Sequence, residues 1–277
     1  MKDNFNKVIF SKGVKLLLAP IIKLFRIYEI RFFNLREKES IDALINIIPG
    51  LSKLQVLNGP FQGMKYPNAI SKGSTFVPKI LGSYEAELHS IISELIAFNY
   101  DEIWDIGCAE GYYAVGFAFR CNDAKIRAFD IDINSRQACE MLANINNVNG
   151  RLEICSKCDA DLINDFNFMN GLIISDCEGF ELDLFERVDI GNKALDYLIE
   201  IHEWPLDNNI AIKILNLFKN SHNVEIIQSV SDLYKAKHYS FYPLVSEASF
   251  SLETRYNAFR ENRGGNEMLW YYFKRKV

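Results

Sequence analysis

A chain of 277 residues, 49% hydrophobic with 20 Phe and 13 Tyr, can bury the core of one large domain and still carry an appended segment. Its net charge of −5 disfavours nucleic acid as the main partner. No uninterrupted apolar run approaches the ~18 residues of a membrane-crossing helix, so none is expected.

Residues 1–50 read as a basic helical N-terminal extension ending at Pro49-Gly50. Residues 1–38 alone hold nine Lys/Arg against three Asp/Glu. Lys15, Pro20 and Lys23 interrupt the apolar run and no small-residue cleavage site follows, which argues against a signal peptide. The preferred reading packs the Leu/Ile/Phe face of this helix on the body. Peripheral contact with an anionic membrane surface stays open as the alternative. Residues 51–82, rich in Gly and Pro, read as short strands and turns leading into the core.

The domain proper spans 83–277. Ser83 is placed to cap a helix with Glu85 and Glu87 in its first turn and Leu88, Ile91, Ile92, Leu95 and Ile96 on one stripe. Strands are then expected at 102–107, 125–131, 151–158, 172–178 and 195–204. Helices lie between them, the clearest with Ala138, Met141, Leu142 and Ile145 on one stripe. Two further strands, 223–230 and 267–276, would lie at one edge. Strands alternating with helices imply an α/β fold, a Rossmann-like, doubly wound, mostly parallel sheet of seven strands. All six cysteines fall inside this stretch and are expected reduced and buried, which points to the cytoplasm. Cys155 and Cys158 share a strand on which side chains alternate direction, so no zinc site is expected from them.

Ligands of such sheets bind beyond the C-terminal strand ends. The stretch "EIWDIGCAEGYYAVGFAFR" (102–120) is strand, glycine turn, helix. The dinucleotide pattern needs glycines where this chain has Gly107, Ala109 and Tyr112, and two of the three fail. Glu110 in the turn would repel a pyrophosphate, and Asp105 adds negative charge facing the same place. Both suit S-adenosyl-L-methionine, which is phosphate-free and carries cationic sulfonium and amino groups. Asp130, nineteen residues past Gly111, can accept both hydroxyls of a ribose. Asp132 is a candidate cap for the helix after it. In the bland alternative, Gly107 and Gly111 only make a tight turn.

These residues resemble the class I S-adenosylmethionine-dependent methyltransferases, and among them the FkbM-like group. "DIGCAEGYYAVG" is similar to the group's first motif, "FDID" to its second-strand acid, and "LANINNVNG" to its paired asparagines. "IISDCEGFELDLF" resembles its D-x-E-G-x-E segment after strand four, and "LIEIHEW" its fifth strand. The resemblance covers about residues 82 to 204. One departure is Ile174, where the family commonly has Lys two residues before Asp176. The resemblance implies a cofactor site of Asp105, Gly107, Glu110, Gly111, Asp130, Ile131 and Asp176, with Asp159 and Ala160 near the adenine. It also implies that Tyr84 and Glu85 close over the methionine end. Asp159 reads equally as a helix cap, and Glu85 as an exposed first-turn acid.

Methyl transfer asks the protein to align a nucleophile and exclude water. A general base for a hydroxyl nucleophile is sought at the strand ends, among His202, Asp176 and Glu178, with Glu203 beside them. His202 has the best-suited ordinary pKa, though it reads also as a satisfied core histidine. A divalent cation on these acids and His202 is the less favoured alternative, and no metal ligand is assigned. Arg255, Arg263 and Asn266, beside a Gly-Gly turn, are candidates for binding an anionic glycan or other small-molecule acceptor. The expected activity is O-methylation of a sugar or related hydroxyl, with S-adenosyl-L-homocysteine as product. An NAD-dependent oxidoreductase and a catalytically degenerate adenosyl-binding or membrane-surface protein are the alternatives.

Overall fold

The computed structural model describes residues 38–72, 74–167, 170–192, 194–203, 209–241, 250–261 and 268–276. The chain divides into two units, Met1–Ile47 and Ile48–Val277. The described part of the first is a helix over 38–47, α1. The sequence reading of a basic surface over 1–38 otherwise lies outside the described residues.

The second unit is built on a seven-stranded sheet in the order β3-β2-β1-β4-β5-β7-β6. Its strands are β1 (Glu102–Ile106), β2 (Lys125–Phe129), β3 (Leu152–Cys155), β4 (Gly171–Ser175), β5 (Leu195–Ile201), β6 (His222–Gln228) and β7 (Leu269–Arg275). The first five pair in parallel, and β7 runs antiparallel to both β5 and β6. This is the doubly wound, mostly parallel sheet expected from the sequence, with β7 inserted inside the edge strand β6. Strands β1, β4 and β5 are buried along their whole length, as strands covered on both faces must be. On one face Trp104, Ile173, Tyr197 and Ile199 form a core with Phe185, Phe218 and Phe273, the last two rings stacked at 4.1 Å.

Three helical readings need correction. The Gly/Pro-rich segment holds a helix, α2 (Phe76–Leu81). Pro78 is its third residue, where the missing N–H would have had no partner in the helix. Ser83 caps nothing. It is fully buried and its Oγ makes no hydrogen bond among the described residues. Gly82 closes α2 in a left-handed turn, Glu85 is itself left-handed, and α3 (His89–Ala97) begins only after a short 3-10 turn. In α5 (Ile133–Ile145) the expected stripe is rotated. Met141 and Ile145 are exposed, and Ser135, Cys139, Leu142 and Ala143 face inward. Small residues win this face because it meets the glycine turn, where a Cβ on Gly111 would lie 2.6 Å from Cys139 Sγ.

Strand order reverses between β1 and β4, the switch point at which ligands of such sheets bind. Here the chain ends approach closely. Asp176 N donates to Ile106 O (2.9 Å), and a Cβ on Gly107 would stand 1.8 Å from Asp176 O. Gly107 also has φ +86, so only glycine suits this position.

Candidate functional site

A cavity of about 350 Å³ opens at the switch point. Of the sequence-derived residues, Tyr84, Asp105, Gly107, Asp130, Ile131, Asp176 and Glu178 line it. The helix after the glycine turn, α4 (Tyr112–Arg120), begins with Gly111 at φ +91 and brings Tyr112 and Tyr113 to the wall. The sequence reading named Tyr112 only as a missing glycine and did not name Tyr113. Their place at a helix start in the failed dinucleotide pattern was the available signal.

Asp130 follows β2 with both carboxylate oxygens aimed by backbone. Oδ2 accepts from Ala109 N (2.9 Å) and Oδ1 from Asp132 N (2.8 Å). A carboxylate has about four lone-pair sites, so each oxygen keeps capacity for a further donor. Asp132 caps α5 through Asn134 N. Asp105, the penultimate residue of β1, is buried, with Oδ2 accepting from Ala114 N (2.8 Å). Its pKa is raised to about 7, chiefly by burial, which the Ala114 N–H opposes; Asp176 and Asp130 contribute to the rise and Lys79 counters it.

Several expected residues stand elsewhere. Glu110 does not line the cavity. Its buried carboxylate pairs with Lys79 and accepts from Ser71 Oγ (2.7 Å) and Lys72 N (3.0 Å). Its charge is met inside the protein, so the argument that it repels a pyrophosphate fails. Glu85 is buried rather than exposed, and accepts from Tyr113 Oη. Asp159 caps the short helix α6 (Ala160–Asn164) through Leu162 N, and neither it nor Ala160 lines the cavity. The loop after β3 reaches the wall slightly earlier, with Ser156, Lys157 and Cys158.

Beyond β4 and β5 the structure gathers His202 with four acids. Nδ1 of His202 is 2.9 Å from Glu181 Oε1, an oxygen that also accepts from Cys177 N (3.1 Å) and Gly179 N (3.3 Å). Glu181, on the short helix α7 (Glu181–Phe185), is fully buried. Burial alone would raise its pKa, but the hydrogen bond and charge of His202 outweigh this and lower it. An ionised Glu181 only accepts, so Nδ1 carries the proton. Nε2 then faces Asp176 Oδ1 (3.6 Å), Glu178 Oε2 (3.8 Å) and Glu200 Oε2 (3.9 Å). Burial lowers the His202 pKa, and the acids reverse this, Glu181 most, so that it stands above its ordinary value. Asp176 is raised, chiefly by burial. Glu203 is exposed. The sequence quotes Glu181 only as the last letter of a motif; its orienting role needs the fold.

Asp176, Glu181 and His202 each offer one donor atom, all within 4.8 Å of one another, the set on which the divalent-cation alternative would draw. Each of the six cysteines is free. Arg255 is not available to an acceptor. It is buried in α9 (Leu252–Phe259), where its guanidinium donates to the carbonyls of Ala236 (2.6 Å) and Tyr239, at the end of α8 (Asp232–His238). Arg263 and Asn266 lie outside the described residues. No helix among the described residues is long and apolar enough to cross a membrane.

No protein-family model matches the chain, and no curated protein does. Solved structures are similar in part. Precorrin-6y C5,15-methyltransferase of Geobacter metallireducens is 9% identical, with TM-score 0.46 over 68% of this chain and 89% of that one. A SAM-dependent O-methyltransferase of Thermotoga maritima is 10% identical, with TM-score 0.45 over 68% and 64%. The tRNA methyltransferase TrmK of B. subtilis is 9% identical, with TM-score 0.41 over 66% and 64%. Scores this low describe a loose likeness, and the fold rests on the strand order itself.

Proposed function

We propose that the chain is an S-adenosylmethionine-dependent methyltransferase acting on a hydroxyl of a sugar, glycan or related small molecule. One observation carries the reading. The cavity wall at the start of α4 presents the Asp105 carboxylate with the rings of Tyr84, Tyr112 and Tyr113. A dinucleotide would seat its pyrophosphate at that helix N-terminus. The Asp105 carboxylate instead favours a cation, while the faces of Tyr84 and Tyr112 already meet the Lys79 ammonium. Tyr112 occupies the place where the dinucleotide pattern needs its last glycine, so the case against NAD now rests on this ring rather than on Glu110.

Asp130, held by two backbone N–H groups, is the proposed acceptor for the ribose hydroxyls. When bound, S-adenosylmethionine supplies an activated methyl group for in-line displacement. The residues of this chain do the rest. Asp105 offsets positive charge, and the tyrosines keep water from the wall. His202 takes the acceptor's proton at Nε2, while Glu181 holds its Nδ1–H and stabilises the imidazolium formed. His202 does not itself line the cavity; Asp176 and Glu178, which do, stand 3.6 and 3.8 Å from its Nε2, and the proton passes by way of them. The FkbM-like group is the finer reading. It is supported by the D-x-E-G-x-E segment, which here runs from Asp176 to Glu181. Ile174, where the family commonly has Lys, is fully buried in β4 and offers no polar contact.

The test is methyl transfer from labelled S-adenosylmethionine to a panel of hydroxylated saccharides. Turnover on at least one, lost in Asp130→Ala, is expected. Retained cofactor binding without turnover on any hydroxyl, amine or carbon acceptor would favour the catalytically degenerate alternative.

A further inference from the structure

Lys79 is a buried ammonium whose pairing with Glu110 and Ser71 leaves one of its donors unused. It lies in α2, is 3% exposed and lines the cavity. Its Nζ donates to Glu110 Oε1 and to Ser71 Oγ (3.0 Å). An ammonium has three N–H donors. The third has no hydrogen-bond acceptor among the described residues. Around Nζ stand the rings of Tyr84 (4.8 Å) and Tyr112 (5.3 Å), both of the cavity wall. A buried charged donor left without a partner is costly, and the cavity is where a partner can arrive.

Glu110 fixes more than the charge. By accepting from Ser71 Oγ and Lys72 N it clips to the glycine turn the segment that brings Lys72 and Ser74 to the cavity wall. Asp105, on the same wall, stands close enough to Lys79 for the two charges to interact. A cationic donor beside a carboxylate complements a zwitterion, whose ammonium goes to the acid and whose carboxylate goes to the lysine.

We propose that Lys79, with Lys72 and Ser74, forms a subsite for the α-carboxylate of an amino-acid-bearing ligand, and that Glu110 is its positioning residue. This rests on the cofactor reading above and names the residues for the methionine carboxylate. The role of Glu110 is thus indirect: it aims the Lys79 ammonium and holds the segment at 71–72.

The experiment is calorimetric titration of the full chain with S-adenosylhomocysteine, its decarboxylated analogue and 5′-methylthioadenosine. The wild type should bind S-adenosylhomocysteine about 10- to 100-fold more tightly than the decarboxylated analogue, the range of a hydrogen bond to a charged group. Lys79→Met should remove that difference and leave affinity for the analogue in place. Glu110→Gln should reduce the difference in the same direction. The comparison in wild type needs no variant, so it stands even if Lys79→Met, with Glu110 left unpaired, folds poorly. Equal binding of all three compounds would overturn the subsite while the cofactor reading survives. An equal loss for all ligands in a folded Lys79→Met would also overturn it. Binding of none would overturn both.

Discussion

Glu181 Oε1 takes the Nδ1–H of His202 together with two backbone N–H groups, leaving Nε2 directed at Asp176 and Glu178. A proton acceptor oriented from behind by a carboxylate is the arrangement general-base chemistry uses. His202→Ala is expected to lower kcat by roughly 10²–10⁴-fold with S-adenosylhomocysteine affinity little changed. The acids hold the His202 pKa above its ordinary value, and the base must be unprotonated. The rate should therefore rise with pH through a value above the usual histidine range. Glu181→Gln removes the largest of the raising influences, so the same limb should move to lower pH while kcat falls. A profile that keeps its position in Glu181→Gln would remove His202 as the base. The residue scale is also where sequence reasoning reached least far. That Asp130 and Asp105 meet one cavity follows from their strand ends. That Glu110 turns away does not, because its partner Lys79 lies 31 positions earlier, in a helix within the Gly/Pro-rich segment read as strands and turns.

At the scale of elements, the site depends on how closely the ends of β1 and β4 approach. Gly107 combines φ +86 with a Cβ position 1.8 Å from the Asp176 carbonyl oxygen. Gly107→Ala should cost at least about 1–2 kcal/mol from the left-handed backbone alone, and more as the strand ends part. Thermal unfolding should show the lowered Tm, and adenosyl binding should weaken with it. An alanine variant with unchanged Tm and affinity would mean that the turn has slack the structure does not show. The central strands β1, β4 and β5 were legible because their short, largely apolar runs are buried on both faces. The helices were less so: the face α5 buries is set by small residues against the glycine turn, a contact invisible to a pattern that weighs only apolar bulk.

Across the whole second unit, the alternation of strands and helices was enough to foresee a doubly wound sheet, and its switch point then located the cavity. The insertion of β7 between β5 and β6 was not foreseen beyond its edge position, since antiparallel return strands leave no mark of order in sequence. The central claim is that this cavity takes an adenosyl sulfonium compound and not a dinucleotide. Titration calorimetry with S-adenosylhomocysteine, with NADH as comparison and Asp130→Ala as control, tests it most directly. The account predicts saturable binding of S-adenosylhomocysteine alone, weakened at least about tenfold in Asp130→Ala. Binding of NADH instead, or of neither compound, would contradict it.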